Sequence, residues 1–220
     1  SDYSLLDYNR AGVPLLETVT TPSIHSADEA IAFLEALRGI FLYTGVSDAR
    51  TDRGEMRVDV NISLSKDDTL GTRTEMKNIN SFNNVRLAIE TEIKRQTEVL
   101  ESGGEIIQET RRFDEATKST ILMRVKTDSV DYKYFPETNI APIKLSDEFI
   151  KEAIETSPEL AESKLIRYKE LGLSDYDASI LISDKDISVY YDEALKTGAS
   201  YKLVANWVIG DVQAILNKQN

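Results

Sequence analysis

The 220-residue sequence contains no cysteine and a single histidine, His25. The absence of cysteine excludes disulfides, zinc–thiolate centres, iron–sulfur clusters and cysteine nucleophiles. One histidine excludes multi-histidine metal sites, and His25 directly precedes a predicted helix start, a position typical of an exposed residue. No apolar run reaches the roughly 18 residues of a membrane span, and residues 1–10 lack the pattern of a signal peptide. We therefore expect a cytoplasmic protein that has no membrane partner.

Glycine-rich phosphate-binding loops are also missing. Neither G-x-x-x-x-G-K-[ST] nor G-x-G-x-x-G occurs, and Gly103-Gly104 follows a predicted helix instead of opening one. The G-x-S-x-G nucleophile elbow of the hydrolases is absent as well. The chemistry that remains to this chain is that of carboxylates, amides, lysine and arginine.

Basic residues are in the minority. The chain has 38 Asp plus Glu against 26 Lys plus Arg, a net charge of −12 at pH 7. This excess argues against strong nonspecific binding to nucleic acid, because such binding depends on Lys and Arg at phosphates. The arginines are unevenly placed, and 11 of the 12 precede residue 146. Since arginine binds phosphate and carboxylate through several hydrogen bonds at once, we expect the polar working site in this first part.

The predicted secondary structure changes character near residue 145. Strands and helices are mixed before it, every segment after it is helical, and the fold class is therefore α+β. Helices are predicted to begin after the N-caps Ser26 and Ser81, and Ser26 with Glu29 forms a capping box. Trp207 is expected in the core of the helical part. The predicted strands are 15–19, 57–64, 72–77, 106–113 and 120–125, and the later helices are 146–156, 158–171, 175–183, 184–197 and 201–217.

Polar residues alternate with apolar ones along several predicted strands. Carboxylates without imidazole or thiolate suit a hard cation such as Mg²⁺, and neighbouring Arg and Lys suit phosphate oxygens. Phosphoryl transfer needs this combination. The same alternation is typical of the solvated face of an antiparallel sheet, so the spacing leaves both interpretations open. The residues concerned are Glu17, Arg57, Asp59, Asn61, Arg73, Glu75 and Lys77.

Three further features each allow two interpretations. Asn78 lies between a predicted strand end and a helix N-terminus, where anions bind, although asparagine is also an ordinary turn residue. Arg111-Arg112 suits either a phosphate or an ion pair with nearby acids. The aromatic residues Tyr132, Tyr134 and Phe135 favour core packing over a base-stacking platform.

Nine blocks of sequence follow one another in a recognisable order. They are D-Y-N-R-A-G-V-P-L-L-E (7–17), G-V-S-D (45–48), R-V-D-V-N-I-S-L (57–64), G-T-R-T-E-M-K-N-I-N-S-F (71–82), G-G-E-I-I-Q-E-T-R-R-F-D (103–114), M-R-V-K (123–126), D-Y-K-Y-F-P-E (131–137), L-G-L-S-D-Y-D-A (171–178) and A-N-W (205–207). Together they resemble the B-subunit family of the bacterial tRNA-dependent amidotransferases. The resemblance covers essentially the whole chain.

The resemblance implies a reaction and its partners. The family amidates misacylated Glu-tRNA(Gln), and in many organisms Asp-tRNA(Asn), after using ATP and Mg²⁺ to phosphorylate the aminoacyl carboxylate. Ammonia that an A subunit releases from glutamine then displaces the phosphate, and a small C subunit wraps the other two. This chain has no cysteine and no serine–lysine amidase signature, which agrees with ammonia production by a partner.

The resemblance also implies roles for individual residues. Glu17 and Glu75 match positions of the family's metal site. Candidate catalytic residues in the polar lining are Arg57, Asp59, Asn61 and Lys77, and candidate ATP-binding residues are Lys77, Asn78 and Arg73.

In domain terms, the resemblance implies that residues 1–145 are the second portion of a mostly antiparallel cradle domain and residues 146–220 a helical domain. The chain would then be a fragment that lacks the first part of the cradle and the tail domain, and we expect it to be inactive in isolation. Arg53 departs from the family, which usually has an acidic residue there. This departure and the missing segments motivate an alternative function, that of a non-catalytic module that docks tRNA or other subunits.

Overall fold

The structure is a computed structural model that describes residues 3–9, 11–125, 136 and 138–219. The predicted aromatic cluster Tyr132, Tyr134 and Phe135 lies outside these residues. Four strands form one sheet in the order β1-β2-β3-β4. The strands are β1 (Val58–Ile62), β2 (Thr74–Ile79), β3 (Glu109–Asp114) and β4 (Ser119–Val125). The helices are α1 (Ala27–Thr44), α2 (Phe82–Glu101), α3 (Asp147–Glu155), α4 (Ala161–Glu170), α5 (Asp175–Ile182), α6 (Lys185–Leu195), α7 (Tyr201–Trp207) and α8 (Gln213–Gln219), with a π-helical turn at Val208–Val212.

The sheet confirms the α+β prediction and adds a parallel pair to it. β1 pairs with β2, and β3 with β4, in antiparallel orientation, whereas β2 and β3 run parallel. Helix α2 connects β2 to β3 and returns the chain to the end of the sheet where β2 began, as a parallel pair requires.

Helices α1 and α2 begin where their caps predict. The Ser26 side chain accepts a hydrogen bond from the Glu29 N–H, and the Glu29 carboxylate accepts one from the His25 N–H at 2.6 Å. Ser81 caps α2 in the same way, and Gly45, with φ 72°, ends α1. The buried face of α2 packs with α1 against one face of the sheet, and this core includes Leu34, Met76, Ile79, Val85, Ala88, Ile89 and Phe113.

The helical part has a second core, which includes Tyr168, Leu181, Tyr191 and Val208. Trp207 does not belong to it, and its prediction as a core residue is wrong, since it is 58% exposed. Val204, Ala205 and Val208 form the inward stripe of this segment at i, i+1 and i+4, so the residue before Val208 turns outward. Tyr43 of α1 joins the two parts, because its hydroxyl donates a hydrogen bond to the Ile182 carbonyl at 2.9 Å.

The prediction of a strand over residues 15–19 is also wrong. These residues are irregular and exposed. A β-favouring segment becomes a strand only when a neighbouring strand pairs with its backbone, and the described sheet pairs only β1 to β4 with one another. No helix among the described residues is long and apolar enough to cross a membrane.

Candidate functional site

The face of the sheet that points away from α2 carries polar side chains from all four strands, β1 to β4. Because side chains alternate along a strand, Val58, Val60 and Ile62 pack toward the core while Asp59 and Asn61 point the other way. Asn61 stands opposite Glu75, which stands beside Thr110, which stands opposite Arg124. We call this surface the polar sheet face, and its members are Asp59, Asn61, Glu75, Lys77, Thr110 and Arg124.

Lys77 lies between two carboxylates on this face. Its Nζ is 3.2 Å from Asp59 Oδ2 and 3.4 Å from Glu75 Oε1. The hydrogen bond to Asp59 is the main cause of a raised Lys77 pKa, which partial burial opposes and the charge of Glu75 supports. Lys77 is therefore a permanent ammonium ion at neutral pH. It can attract an anion but cannot serve as a general base.

A β-bulge brings Lys77 and Asp59 together. Val58 pairs with Ile79 and Val60 with Met76, so Asp59 faces two residues, Lys77 and Asn78. Asn78 was predicted between the strand and the helix; it lies within β2 and has a φ of 60°. The extra residue shifts the alternation by one position, so Ile79 returns to the core at 6% exposure instead of facing solvent.

Thr110 connects the face to the second half of the sheet. Its hydroxyl donates a hydrogen bond to Glu75 Oε2 at 2.9 Å and accepts one from Arg124 Nε at 3.5 Å. Sequence reasoning missed both Thr110 and Arg124. The signal that could have found them is the β3 register, which the sequence pattern does not specify for a parallel pair.

The opposite side of β3 carries a buried ion network. Glu92 of α2 is fully buried and accepts hydrogen bonds from Arg95 (2.6 Å), Gln96 (2.9 Å) and Thr120 (2.7 Å). Burial alone would raise the pKa of Glu92, but these hydrogen bonds, with that from Arg95 the strongest, outweigh it and lower the pKa. The carboxylate is therefore ionised and compensated within the core.

Glu109 extends this network to β3. Arg95 lies 3.1 Å and Arg111 2.7 Å from Glu109 Oε1. The structure thus favours the ion-pair alternative for Arg111, which packs on the core side of the sheet and away from the polar sheet face. Arg112 is more exposed and lies 3.8 Å from Asp114.

The remaining predicted site residues lie at or beyond the strand ends. Arg57 and Arg73 immediately precede β1 and β2, so neither is a strand residue as predicted. Glu17 is exposed on the irregular segment that precedes α1, outside the sheet. The structure therefore brings together Asp59, Asn61, Glu75, Lys77 and Asn78 and leaves the other three at the periphery.

The described residues do not by themselves fit a complete Mg²⁺ site. Among them no group of three or more His, Asp or Glu residues is placed to hold a metal ion. Glu75, the candidate ligand in the sheet, has one oxygen bound by Thr110 and the other beside the Lys77 ammonium, which would compete with a cation.

A cleft beside the start of α2 contains two arginines. It has a volume of about 210 Å³ and is lined by Arg38, Ala49, Arg50, Thr51, Asp52 and Phe82. Arg50 Nη2 is 2.8 Å from Asp52 Oδ2, and the Arg50 N–H donates to Glu55 Oε2 at 3.2 Å. The two acids near Arg53 are therefore held by Arg50, and Arg53 itself is exposed.

Comparison with known proteins gives a consistent result. Residues 1–151 match the family described as the GatB/GatE catalytic domain. The chain is 51% identical over 220 residues to the B subunit of the aspartyl/glutamyl-tRNA(Asn/Gln) amidotransferase of Limosilactobacillus reuteri, covering 99% of this chain and 46% of that protein. Its identity to the corresponding protein of Staphylococcus aureus is 50%, with the same coverage of 99% and 46%.

The chain thus spans about half the length of the curated relatives it matches, 46% in both cases. The residues of the polar sheet face all lie within the stretch that the family match covers. The chain belongs to the GatB/GatE catalytic-domain family.

Proposed function

We propose that the chain is part of the B subunit of an aspartyl/glutamyl-tRNA(Asn/Gln) amidotransferase and supplies the polar sheet face to its activation site. The misacylated side-chain carboxylate attacks the γ-phosphorus of ATP, ADP leaves, and an acyl phosphate forms. Ammonia then attacks the acyl carbon, inorganic phosphate leaves with the bonding electron pair, and the excess proton passes to solvent. Family membership supports the reaction, and the observation that carries the site is Lys77 held between Asp59 and Glu75.

The roles follow from charge and position. Phosphoryl transfer needs positioning and charge neutralisation more than a protein nucleophile, because the substrate carboxylate is itself the nucleophile. A chain without cysteine and with an exposed histidine suits such a reaction. The Lys77 ammonium would neutralise charge that develops on the phosphoryl oxygens, and Asp59 and Glu75 keep it in place. Arg57 and Asn61 flank this position along β1, and Arg73 and Asn78 flank it along β2 as ATP-binding candidates.

Mg²⁺ is proposed as the ion that accompanies ATP. The described residues do not complete its site, and none of the roles proposed for Lys77 depends on it. Glu75 is the family-matched carboxylate that the sheet holds in position, and Glu17 is the second. We also propose that residues 1–145 form the cradle portion and residues 146–220 the helical domain, in line with the two separate cores.

The proposed partners are the glutaminase A subunit, the C subunit and misacylated tRNA. Helix α3 supports assembly with other chains. None of its residues is buried, and Phe149, Ile150 and Ile154 are exposed on it. The same surface serves equally the alternative function, a module that docks subunits or tRNA without catalysis, which would leave Lys77 dispensable.

Substitution of Lys77 separates the two functions. In the full-length product of the gene that encodes this chain, purified with its partner subunits, Lys77→Met should lower Gln-tRNA formation about 100- to 1,000-fold, since a lost charge contact to a transition state costs about 2.7–4 kcal/mol. Glutaminase activity of the A subunit should persist. The matched control is Lys66→Met, an exposed lysine in the turn after β1. Normal Gln-tRNA formation by Lys77→Met would contradict the proposal and favour the docking module.

A further inference from the structure

Thr110 is a buried hydroxyl that the proposed chemistry does not yet use. The residue is 2% exposed, although it lies on the polar sheet face. It stands between Arg124, which donates to its Oγ1 at 3.5 Å, and Glu75, which accepts its hydrogen at 2.9 Å. Because a hydroxyl that accepts from a cation becomes a better donor, this order of groups directs the Thr110 hydrogen toward the carboxylate.

The buried ion network fixes the orientation of Thr110. Its neighbours on β3, Glu109 and Arg111, point to the core side, where Glu109 is held by Arg95 and Arg111. Arg111 also donates to the Thr120 carbonyl at 2.6 Å, which ties β3 to β4. With both neighbours held on one face, alternation along the strand holds Thr110 on the other. The parallel register places it beside Glu75.

We infer that Thr110 is a positioning residue for the activation step, an inference that rests on the proposed function. Its hydrogen bond holds Glu75 Oε2, which keeps Glu75 Oε1 turned toward Lys77 at 3.4 Å. A carboxylate that lost this bond would gain rotational freedom about its terminal torsion, and the Lys77 ammonium would lose one of its two fixed partners. Thr110 touches neither substrate nor ATP in this scheme; it acts through Glu75.

Thr110→Val removes the hydroxyl but keeps the volume and the β-branched shape. In the full-length gene product with its partner subunits, we expect kcat for Gln-tRNA formation to fall about tenfold, the size of one hydrogen bond to a charged group. The KM for ATP should change less than about twofold, since the bond positions a carboxylate instead of binding nucleotide. Thr110→Ser, which retains the hydroxyl, should restore kcat to within about threefold of the original.

Thr74→Val is the matched control. Thr74 is buried in the neighbouring strand, next to Glu75 in sequence, and its Oγ1 has no hydrogen-bond partner among the described residues. The Thr74→Val substitution should therefore leave kcat for Gln-tRNA formation unchanged. If Thr110→Val also leaves kcat unchanged while Lys77→Met lowers Gln-tRNA formation about 100-fold or more, the inference is wrong and the proposed function stands. If Lys77→Met has no effect on Gln-tRNA formation, the proposed function is wrong, and the inference that rests on it is wrong as well. A loss in Thr110→Val that Thr110→Ser does not rescue would show a packing role and would overturn the inference.

Discussion

The bulge at Asn78 predicts that substitution of this residue weakens the pairing of β1 with β2. A residue with a Cβ costs about 1–2 kcal/mol in the left-handed region, and asparagine is one of the few that tolerate it. At φ 60°, Asn78→Ala should therefore weaken the β1–β2 pair by about 1 kcal/mol or more. The Asn78→Ala variant cannot relieve this strain by removing the bulge. A regular strand would turn Ile79 toward the polar face and lose the roughly 1.5–3 kcal/mol gained by burying it.

Hydrogen exchange measured by mass spectrometry is the appropriate assay, because it reports local opening without requiring two-state unfolding of the whole chain. Asn78→Ala should speed exchange in peptides that cover β2 by about fivefold, the equivalent of about 1 kcal/mol. Asn78→Gly should exchange at the original rate, since glycine adopts this φ without steric cost. The matched control is Asn80→Ala, an exposed residue whose φ is not positive. Equal exchange rates in β2 for Asn78→Ala and Asn80→Ala would show that the φ of Asn78 imposes no cost on alanine.

Three further predictions concern the buried network, its pH dependence and the isolated chain. Glu92→Gln should cost about 1.5–3 kcal/mol of stability because Arg95 loses its nearer carboxylate and keeps only Glu109. Glu98→Gln, exposed on the same helix, should cost less than about 0.5 kcal/mol, and thermal melting of both variants checks this. Because the pKa of Glu92 is lowered in the folded state, its contribution to stability is complete above its unfolded-state pKa near 4.5 and is lost as pH falls through the folded-state pKa. Below pH 4.5 the melting temperature should therefore fall more steeply with pH for the original protein than for Glu92→Gln. Parallel plots of melting temperature against pH would show that Glu92 does not cause the pH dependence. The 220 residues alone, mixed with ATP, glutamine, Glu-tRNA(Gln) and the partner subunits, should form no Gln-tRNA, and amidated product would contradict the incomplete metal site.

Local signals in the sequence predicted most of the elements. Ser26 and Ser81 marked both helix starts because an N-cap depends on residues within one turn. The alternation in β1 predicted the polar face for Asp59 and Asn61 because a strand places its side chains by a period of two. The change to an all-helical pattern after residue 145 likewise needed no long-range information.

The features that the sequence did not reveal depend on pairing at a distance. A strand over residues 15–19 needed a neighbour, and β propensity cannot say whether one is available. The Asn78 bulge is a mismatch between β1 and β2, so neither strand shows it alone. Thr110 acquires its role from the parallel register with Glu75, across a 20-residue crossover helix. Trp207 was misassigned because amphipathic spacing in a short helix does not decide which of two adjacent apolar residues faces the core.

The charged residues of the site could therefore be predicted from the sequence, but the ion pairs and hydrogen bonds between them could not. Asp59, Glu75 and Lys77 were identifiable as charged residues of adjacent strands. Their ion pairs required the bulge that sets Asp59 opposite Lys77, and the support of Glu75 required a residue 35 positions further along the chain.

The central claim is that the polar sheet face takes part in carboxylate activation, and the most direct test follows ADP before any amide forms. The full-length gene product with its partner subunits is mixed with ATP and Glu-tRNA(Gln), without glutamine or ammonia, and ADP is measured over a single turnover. We expect ADP formation that requires Glu-tRNA(Gln) and that is lost in Lys77→Met but retained in Lys66→Met. Formation of ADP by Lys77→Met at the original rate would contradict the central claim.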